Sequence, residues 1–222
     1  MRSLVRKVLR RCARPLGFGR PPGPGLPYWE QRARQFGARS VLNLGHGDAE
    51  YQAVTESQKR ELFPHLAGLL RGDERLAVDV GCGPGRFTRD LAELTGGRAI
   101  GLDIVQTFLD MAPPDPRVEY RRMSEGTIDL PDGCADLVWI CLVLGGIEGP
   151  ILSRTTSEAI RILRPGGLLF LAENTSSMPA SKHWAFRSVA DYRAMFPSVG
   201  LEHLHDYIDL GERISVLAGR RR

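Results

Sequence analysis

The spacing of hydrophobic and polar residues divides the chain into two parts, one with helical patterns only and one in which strand and helix patterns alternate. From residue 76 onwards, short apolar runs bounded by Gly, Pro or Asp alternate with segments whose apolar residues recur at helical spacing. Strands that alternate with helices form βαβ units, so we expect a mostly parallel sheet with helices on both faces. Seven strands are predicted, at RLAVDV, RAIGLDI, RVEYRRM, CADLVWICLVLGGI, LLFLAEN, LEHLHDYIDLG and RISVLAGR. The last two have no helix between them, which predicts an antiparallel hairpin at one edge of the sheet.

The first 72 residues contain helical patterns but no strand pattern. YWEQRARQFG predicts a short helix that ends at Gly37. Residues 50–72 predict one helix or two, with a kink at Pro64 as an open alternative. This part is therefore expected to be a helical extension of the sheet-containing core.

A Pro- and Gly-rich segment, PPGPGLP at residues 21–27, predicts a linker that is neither helix nor strand. Residues 1–27 are therefore expected to be a disordered basic arm and linker. One folded domain is expected over residues 28–222, with the helical extension over 28–72 and the core over 73–222.

Charge is distributed unevenly along the chain. The net charge is +4, yet residues 1–29 hold seven basic residues and no acid, which leaves −3 on residues 30–222. A mildly acidic body gives no reason to expect a nucleic-acid surface. The basic run also carries apolar residues at helical spacing, which leaves three interpretations open. They are weak contact of residues 1–14 with an anionic membrane surface, a mitochondrial-type presequence, and a solvated arm, which we favour.

The cysteines and histidines do not form a pattern typical of a metal site. None of the four cysteines belongs to a CxxC pair, and no Cys/His cluster has the spacing of zinc ligands. His203 and His205 share one face of a predicted strand, but the sequence offers no third ligand beside them. We therefore expect reduced thiols, a cytoplasmic location and no metal.

The stretch VDVGCGPGRFT, residues 78–88, predicts a glycine-rich loop between a strand and a helix, which is typical of nucleotide binding. A triphosphate loop needs Gly-Lys-Ser/Thr, and this loop has no lysine. A dinucleotide loop needs a third glycine where Arg86 stands, so a nicotinamide-dependent oxidoreductase is a weaker alternative.

The third interpretation is S-adenosylmethionine. The pattern Asp79-x-Gly81-x-Gly83-x-Gly85 resembles the first motif of class I S-adenosylmethionine-dependent methyltransferases. Glycines let the backbone lie against a ligand, and an acid suits the ligand's cationic end. Asp103 ends the next predicted strand, where a carboxylate accepts hydrogen bonds from ribose hydroxyls.

Two later stretches extend the resemblance over residues 76–174. MSEGTIDLPDGCADLVWICLVLGGI resembles the family's segment around the donor, and EAIRILRPGGLLFLAEN resembles the family's helix-turn-strand that follows it. The chain departs from the family at Ser124, where Asp is frequent, and at Gly145 and Gly146, where many members carry histidines. The resemblance implies a Rossmann-like fold, S-adenosyl-L-methionine as cofactor, and cofactor-binding residues Asp79, Gly81, Cys82, Gly83, Gly85, Asp103, Ile104, Ser124, Glu125 and Cys141.

Transfer of a methyl group from a sulfonium needs positioning of the acceptor more than a catalytic group, and a base only where the acceptor must lose a proton. The motifs by which the family's nucleic-acid enzymes are known are missing after the fourth strand, so we expect a small-molecule acceptor with an O, N or C nucleophile. The alternative from another class is a catalytically silent binding or assembly module, and the oligomeric state is left open. Weak candidates for catalysis are His183, Asn174 and Tyr192, and candidates for the substrate pocket are Tyr28, Trp29, Arg32, Trp184 and Arg187.

Overall fold

The computed structural model describes residues 25–177 and 183–222. Residues 1–24 of the predicted disordered arm and linker, which include the predicted membrane contact of residues 1–14, lie outside the described residues. The strands are β1 (Leu76–Val80), β2 (Arg98–Asp103), β3 (Val118–Arg122), β4 (Ala135–Cys141), β5 (Leu163–Asn174), β6 (Glu202–Asp209) and β7 (Glu212–Arg220). The α-helices are α1 (Leu26–Phe36), α2 (Tyr51–Leu69), α3 (Thr88–Leu94), α4 (Gln106–Leu109), α5 (Gly149–Ile162) and α6 (Val189–Met195).

The seven strands form one sheet in the order β3-β2-β1-β4-β5-β7-β6. Strands β1 to β5 run parallel to one another, whereas β7 is antiparallel to both of its neighbours, β5 and β6. The predicted mostly parallel sheet and its antiparallel C-terminal hairpin are thereby confirmed. The strand order reverses between β1 and β4, and open sheets of this kind bind ligands at that point, beyond the carboxyl ends of the strands.

Strand β4 shows how the sheet separates two cores. Because side chains alternate along a strand, Val138 and Ile140 belong to one buried cluster, and Leu137 and Trp139 belong to the other. The first cluster is covered by α5 and α6, and the second by α2 and α3. Trp139 stacks on Phe170 of β5 with ring centroids 4.7 Å apart. Both faces of the sheet are therefore buried by helices, as predicted.

The structure departs from two predicted boundaries and decides between the alternatives that the sequence left open at α2. Helix α1 begins at Leu26, inside the predicted linker, and a proline is tolerated in its first turn because backbone N–H groups there have no partner within the helix. Helix α2 is one helix that contains Pro64. The Pro-Gly-Gly turn after α5 lies within the span of β5, next to a register shift between β4 and β5. No helix among the residues described has the length and apolar character needed to cross a membrane.

Candidate functional site

A cavity of about 750 Å³ opens where the strand order reverses. Its walls come from the carboxyl ends of β1, β2 and β4, from α1 and the segment that follows it, and from the turn between β6 and β7. Such a volume lies within the range of cavities that hold small ligands.

The glycine loop follows β1 and bends back over β2. The backbone N–H groups of Gly81 and Cys82 both donate to the carbonyl oxygen of Leu102, at 2.7 and 3.0 Å. Gly81 has a φ of +76°, and a Cβ there would lie 2.5 Å from the side chain of Val143, so only glycine fits. Gly81, Gly83 and the buried Cys82, whose thiol pKa is raised by burial, line the cavity.

Gly85 serves a different purpose from the one predicted. It does not line the cavity, and a Cβ at this position would lie 2.5 Å from the hydroxyl oxygen of Tyr120 on β3. The third glycine of the loop therefore permits packing against the sheet rather than approach to a ligand.

Asp103 ends β2 with its carboxylate in the cavity wall. One oxygen accepts from the backbone N–H of Gly83 at 2.9 Å and the other from that of Val105 at 2.8 Å. Only 8% of the residue is exposed, and this burial raises the pKa of the carboxyl to about 6, although the backbone donors oppose the rise. Ile104 lies beside it in the same wall. The strand end therefore holds one oriented carboxylate at the place predicted for a ribose.

Asp79 on β1 is the second buried acid of the cavity wall. Its carboxylate accepts a hydrogen bond of 2.7 Å from the hydroxyl of Thr88, the first residue of α3. Burial raises the pKa of this carboxyl to about 7, and the nearby charge of Asp103 adds to the rise. Two neighbouring buried carboxyls create an environment that suits a cationic group.

The segment after β3 places only one of its two predicted contacts in the cavity. Glu125 lines the cavity, and its carboxylate also accepts a hydrogen bond of 2.8 Å from the backbone N–H of Leu26 at the start of α1. Ser124 is exposed and lies outside the lining, whereas Met123 and Gly126 on either side belong to it. The structure therefore does not bring Ser124 into the site.

A buried carboxylate binds the backbone of the loop after β4. Glu173 at the end of β5 is fully buried and accepts backbone N–H groups from Val143 at 2.8 Å, Leu144 at 2.7 Å and Gly145 at 3.3 Å. Burial raises the pKa of Glu173 to about 7, while these donors oppose the rise. Cys141, at the start of the loop, lines the cavity, and its thiol pKa is raised by burial. Glu173 therefore sets the course of the chain around Cys141.

Two sequence candidates support this loop instead of lining the cavity. Arg187 donates to the carbonyl oxygens of Leu144 at 2.7 Å and Ile147 at 2.8 Å. Tyr192 of α6 is fully buried, and its hydroxyl lies 3.5 Å from the Glu173 carboxylate. Their proposed contact with substrate is therefore not what the geometry favours, because both side chains are used in packing the loop.

Aromatic side chains pack against the backbone of Gly145 and Gly146. A Cβ on Gly145 would overlap the indole ring of Trp184, and one on Gly146 would lie 3.0 Å from Trp29. Tyr28 stacks on His183 with ring centroids 4.0 Å apart. Glycines at these two positions therefore allow the two tryptophans to approach the loop backbone, in the place where many family members carry histidines.

Arg32 lines the cavity but is engaged by its own surroundings. Its guanidinium donates to the carbonyl oxygens of Ser40 at 2.6 Å and Leu42 at 2.9 Å, and to the hydroxyl of Tyr28 at 3.0 Å. It thereby ties α1 to the segment that follows. Asn174 also lines the cavity, where its amide donates to Glu212.

Arg86 lines the cavity, a role that its place in the glycine loop does not predict. It is 9% exposed, donates to the hydroxyl of Thr55 at 3.1 Å and to the amide oxygen of Gln58, and lies over the ring of Phe87. No local pattern reveals this position, because Thr55 and Gln58 lie on α2, far earlier in the chain.

The two histidines of β6 each pair with an acid. His203 lies 2.7 Å from Asp206, and His205 lies 3.0 Å from Glu61. Over residues 25–177 and 183–222, no group of three or more His, Cys, Asp or Glu side chains is arranged to hold a metal ion.

Comparisons with known proteins agree with this geometry. Residues 78–171 match the family described as methyltransferase domain. The chain is 32% identical over 141 residues to 2-methyl-6-phytyl-1,4-hydroquinone methyltransferase of Synechocystis sp., a match that covers 60% of this chain and 44% of that protein. It is 34% identical over 140 residues to thiol S-methyltransferase TMT1B of Homo sapiens, covering 59% and 55%. The chain thus spans about half the length of these curated relatives.

The fold is similar to that of solved methyltransferase structures. One is geranyl diphosphate C-methyltransferase from Streptomyces coelicolor in complex with Mg²⁺, geranyl diphosphate and S-adenosyl-L-homocysteine, with a TM-score of 0.64 and 16% identity. That match covers 90% of this chain and 100% of the other.

Proposed function

We propose that this chain is a class I S-adenosylmethionine-dependent methyltransferase that transfers the methyl group of S-adenosylmethionine to a small-molecule acceptor. One observation carries the proposal. The glycine loop, the oriented Asp103 carboxylate and the loop after β4 all line a single cavity at the reversal of strand order.

The chemistry of the cavity wall fits this donor. The carboxylate of Asp103, fixed by two backbone N–H groups, is suited to accept hydrogen bonds from the ribose hydroxyls. Asp79 offers negative charge for the cationic methionine end, and Glu125 and Ile104 flank the side assigned to adenine. These assignments are supported by position and chemistry together.

When bound, the donor supplies a methyl group already activated by the positive sulfur. The protein has to orient the acceptor and keep water away from it. Tyr28, Trp29 and Trp184 supply an aromatic wall for that purpose. Of the candidates for catalysis that line the cavity, His183 can transfer a proton if the acceptor requires it, and Asn174 offers a hydrogen-bonding amide.

The names of the two relatives support a small acceptor, since one is named for a hydroquinone and the other for a thiol. We therefore assign this chain a small-molecule acceptor rather than a macromolecule.

Calorimetric titration with S-adenosylmethionine, S-adenosylhomocysteine and NADH tests the proposal. We expect both sulfur compounds to bind and NADH not to bind. Binding of NADH alone would contradict the proposal, and binding of none of the three would favour a silent binding module.

Two finer expectations also belong to the proposal. Free thiols at Cys82, Cys134 and Cys141 support a cytoplasmic location, which fractionation of cells would test. The basic, acid-free composition of residues 1–14 supports weak contact with anionic membranes. Co-sedimentation of the full chain with anionic and neutral vesicles would test that contact.

A further inference from the structure

We propose that the methyl acceptor enters the cavity as an anion and that Arg86 binds its charged group. This inference rests on the proposed function and adds to it the chemical class of the acceptor. It is carried by the position, the partners and the surroundings of one buried guanidinium.

Arg86 is buried in the cavity wall with neutral partners only. Its two hydrogen bonds go to the Thr55 hydroxyl and the Gln58 amide, and its planar group lies 4.8 Å from the centroid of the Phe87 ring. Across residues 25–177 and 183–222, no carboxylate lies within ion-pair distance of it. Burial lowers the pKa of the Arg86 guanidinium, although arginine remains charged at neutral pH.

A buried cation without an ionic partner costs free energy unless something compensates it. The two acids of the hairpin turn that share this part of the cavity are engaged elsewhere. The carboxylate of Asp209 lies 2.7 Å from Nε2 of His46, and that of Glu212 accepts from Asn174. Neither Asp209 nor Glu212 therefore pairs with Arg86, and an anionic group of a ligand would supply the missing ionic partner.

The elements around Arg86 differ from those that hold the ribose carboxylate. The groups that act on it electrostatically lie on four elements: Tyr51 on α2, Asp79 on β1, Cys141 on β4, and Tyr207 and Asp209 on β6. The donor-side contacts Asp103 and Glu125 instead lie at β2 and beyond β3, on the other side of β1. Asp79 borders the cationic end of the donor, but Tyr51, Tyr207 and Asp209 have no assigned donor contact, which favours the acceptor over the donor carboxylate as the partner of Arg86.

The chemistry balances without a catalytic base. A lone pair of the anion forms the new bond to the methyl carbon while the bond between sulfur and that carbon breaks. The electron pair of the broken bond stays on sulfur, so the sulfonium becomes a neutral thioether and the acceptor loses its negative charge. No proton has to be removed in this step. A nearby guanidinium also lowers the pKa of an acidic acceptor, which keeps it in the reactive form.

A pair of near-isosteric probes tests the inference. Protein saturated with S-adenosylhomocysteine is titrated with 4-nitrophenolate and with neutral 4-nitroaniline, at a pH above the pKa of the phenol. We expect the wild type to prefer the phenolate by about tenfold or more, and Arg86→Gln to lose that preference. Arg86→Lys should keep part of it, because the charge remains while the planar group is lost.

Affinity for S-adenosylhomocysteine is measured on every variant and shows whether the donor site is intact. Arg89→Gln is the matched control, because Arg89 follows on α3 with an exposed side chain. Equal affinity for the two probes, or no binding of the phenolate to the wild type, would overturn the inference. The inference would also be overturned if Arg86→Gln kept the preference for the phenolate. It would be overturned as well if that variant lost affinity for S-adenosylhomocysteine tenfold without losing the preference. Failure of the wild type to bind S-adenosylhomocysteine would instead count against the proposed function.

Discussion

The two halves of the cavity are built in different ways. The donor half comes mainly from residues 79–83 and 103–125, and its key contacts use backbone N–H groups, such as that of Gly83, which donates to the Asp103 carboxylate. The acceptor half is assembled from distant segments, such as Trp29 of α1 against Gly146, and Arg86 against Gln58 of α2. The first half depends on backbone geometry that short motifs encode, and the second depends on how remote side chains pack.

The largest effect on the donor half is expected from Asp103→Ala. Loss of a charged acceptor for the ribose, and of the bonds that hold the loop, should weaken S-adenosylhomocysteine binding by about 2 kcal/mol, or roughly thirtyfold. Titration calorimetry measures this change. Asp110→Ala is the control, since Asp110 is an exposed acid just beyond α4. An unchanged affinity of the Asp103 variant would rule out the ribose assignment.

The buried acids predict a dependence on pH that belongs to the donor half. The pKa values of Asp79 and Asp103 are raised to about 7 and about 6, so a cationic ligand must bind to carboxyls that still hold protons at low pH. Affinity for S-adenosylmethionine should therefore fall by up to roughly tenfold between pH 8 and pH 6. Asp79→Asn should flatten this profile, and a profile that is the same in both proteins would contradict the role of Asp79.

Without ligand, the same carboxyls act on stability in the opposite sense. The folded chain holds their protons more tightly than the unfolded chain, so the free energy of unfolding falls as pH rises from about 4 to about 7. Chemical denaturation across that window measures this contribution, which Asp79→Asn should reduce.

Gly145→Ala should affect the acceptor half selectively. The added methyl group overlaps the Trp184 indole, so we expect the aromatic wall to shift and the fold to lose about 1–3 kcal/mol of stability. Methyl transfer should fall by several fold, with S-adenosylhomocysteine affinity kept within about twofold. Gly68→Ala is the matched control, because a Cβ there meets nothing within 4 Å and Gly68 lies inside α2. If methyl transfer and S-adenosylhomocysteine affinity fell by the same factor, the two halves of the cavity would not be independent.

The smallest effect is expected from Ser124→Ala. This exposed residue lies outside the cavity lining, so its removal should change donor affinity and stability by less than about 0.5 kcal/mol. Thermal denaturation and calorimetry check both quantities. A clear loss of donor affinity would restore the adenine contact that the resemblance implied.

The accuracy of the sequence analysis followed the same division. The mostly parallel sheet and its terminal hairpin are confirmed, because hydrophobic period and glycine-proline punctuation are local signals. The donor residues stay predictions, though most of them line the cavity. Arg187 and Tyr192 were assigned to catalysis or substrate from residue type alone, and their side chains support the loop after β4. Residue type does not reveal which way a side chain faces.

The sequence by itself determined the fold class, the resemblance to class I methyltransferases and the place of the glycine loop between β1 and α3. These follow from patterns of neighbouring residues, whose geometry a short segment imposes on itself. Only the tertiary structure decided that Glu173 holds the loop at Cys141, that two tryptophans occupy the space over Gly145 and Gly146, and that Arg86 lies buried with neutral partners. The physical reason is that burial and electrostatic environment depend on segments far apart in the chain, which meet only when the sheet and its helices are assembled.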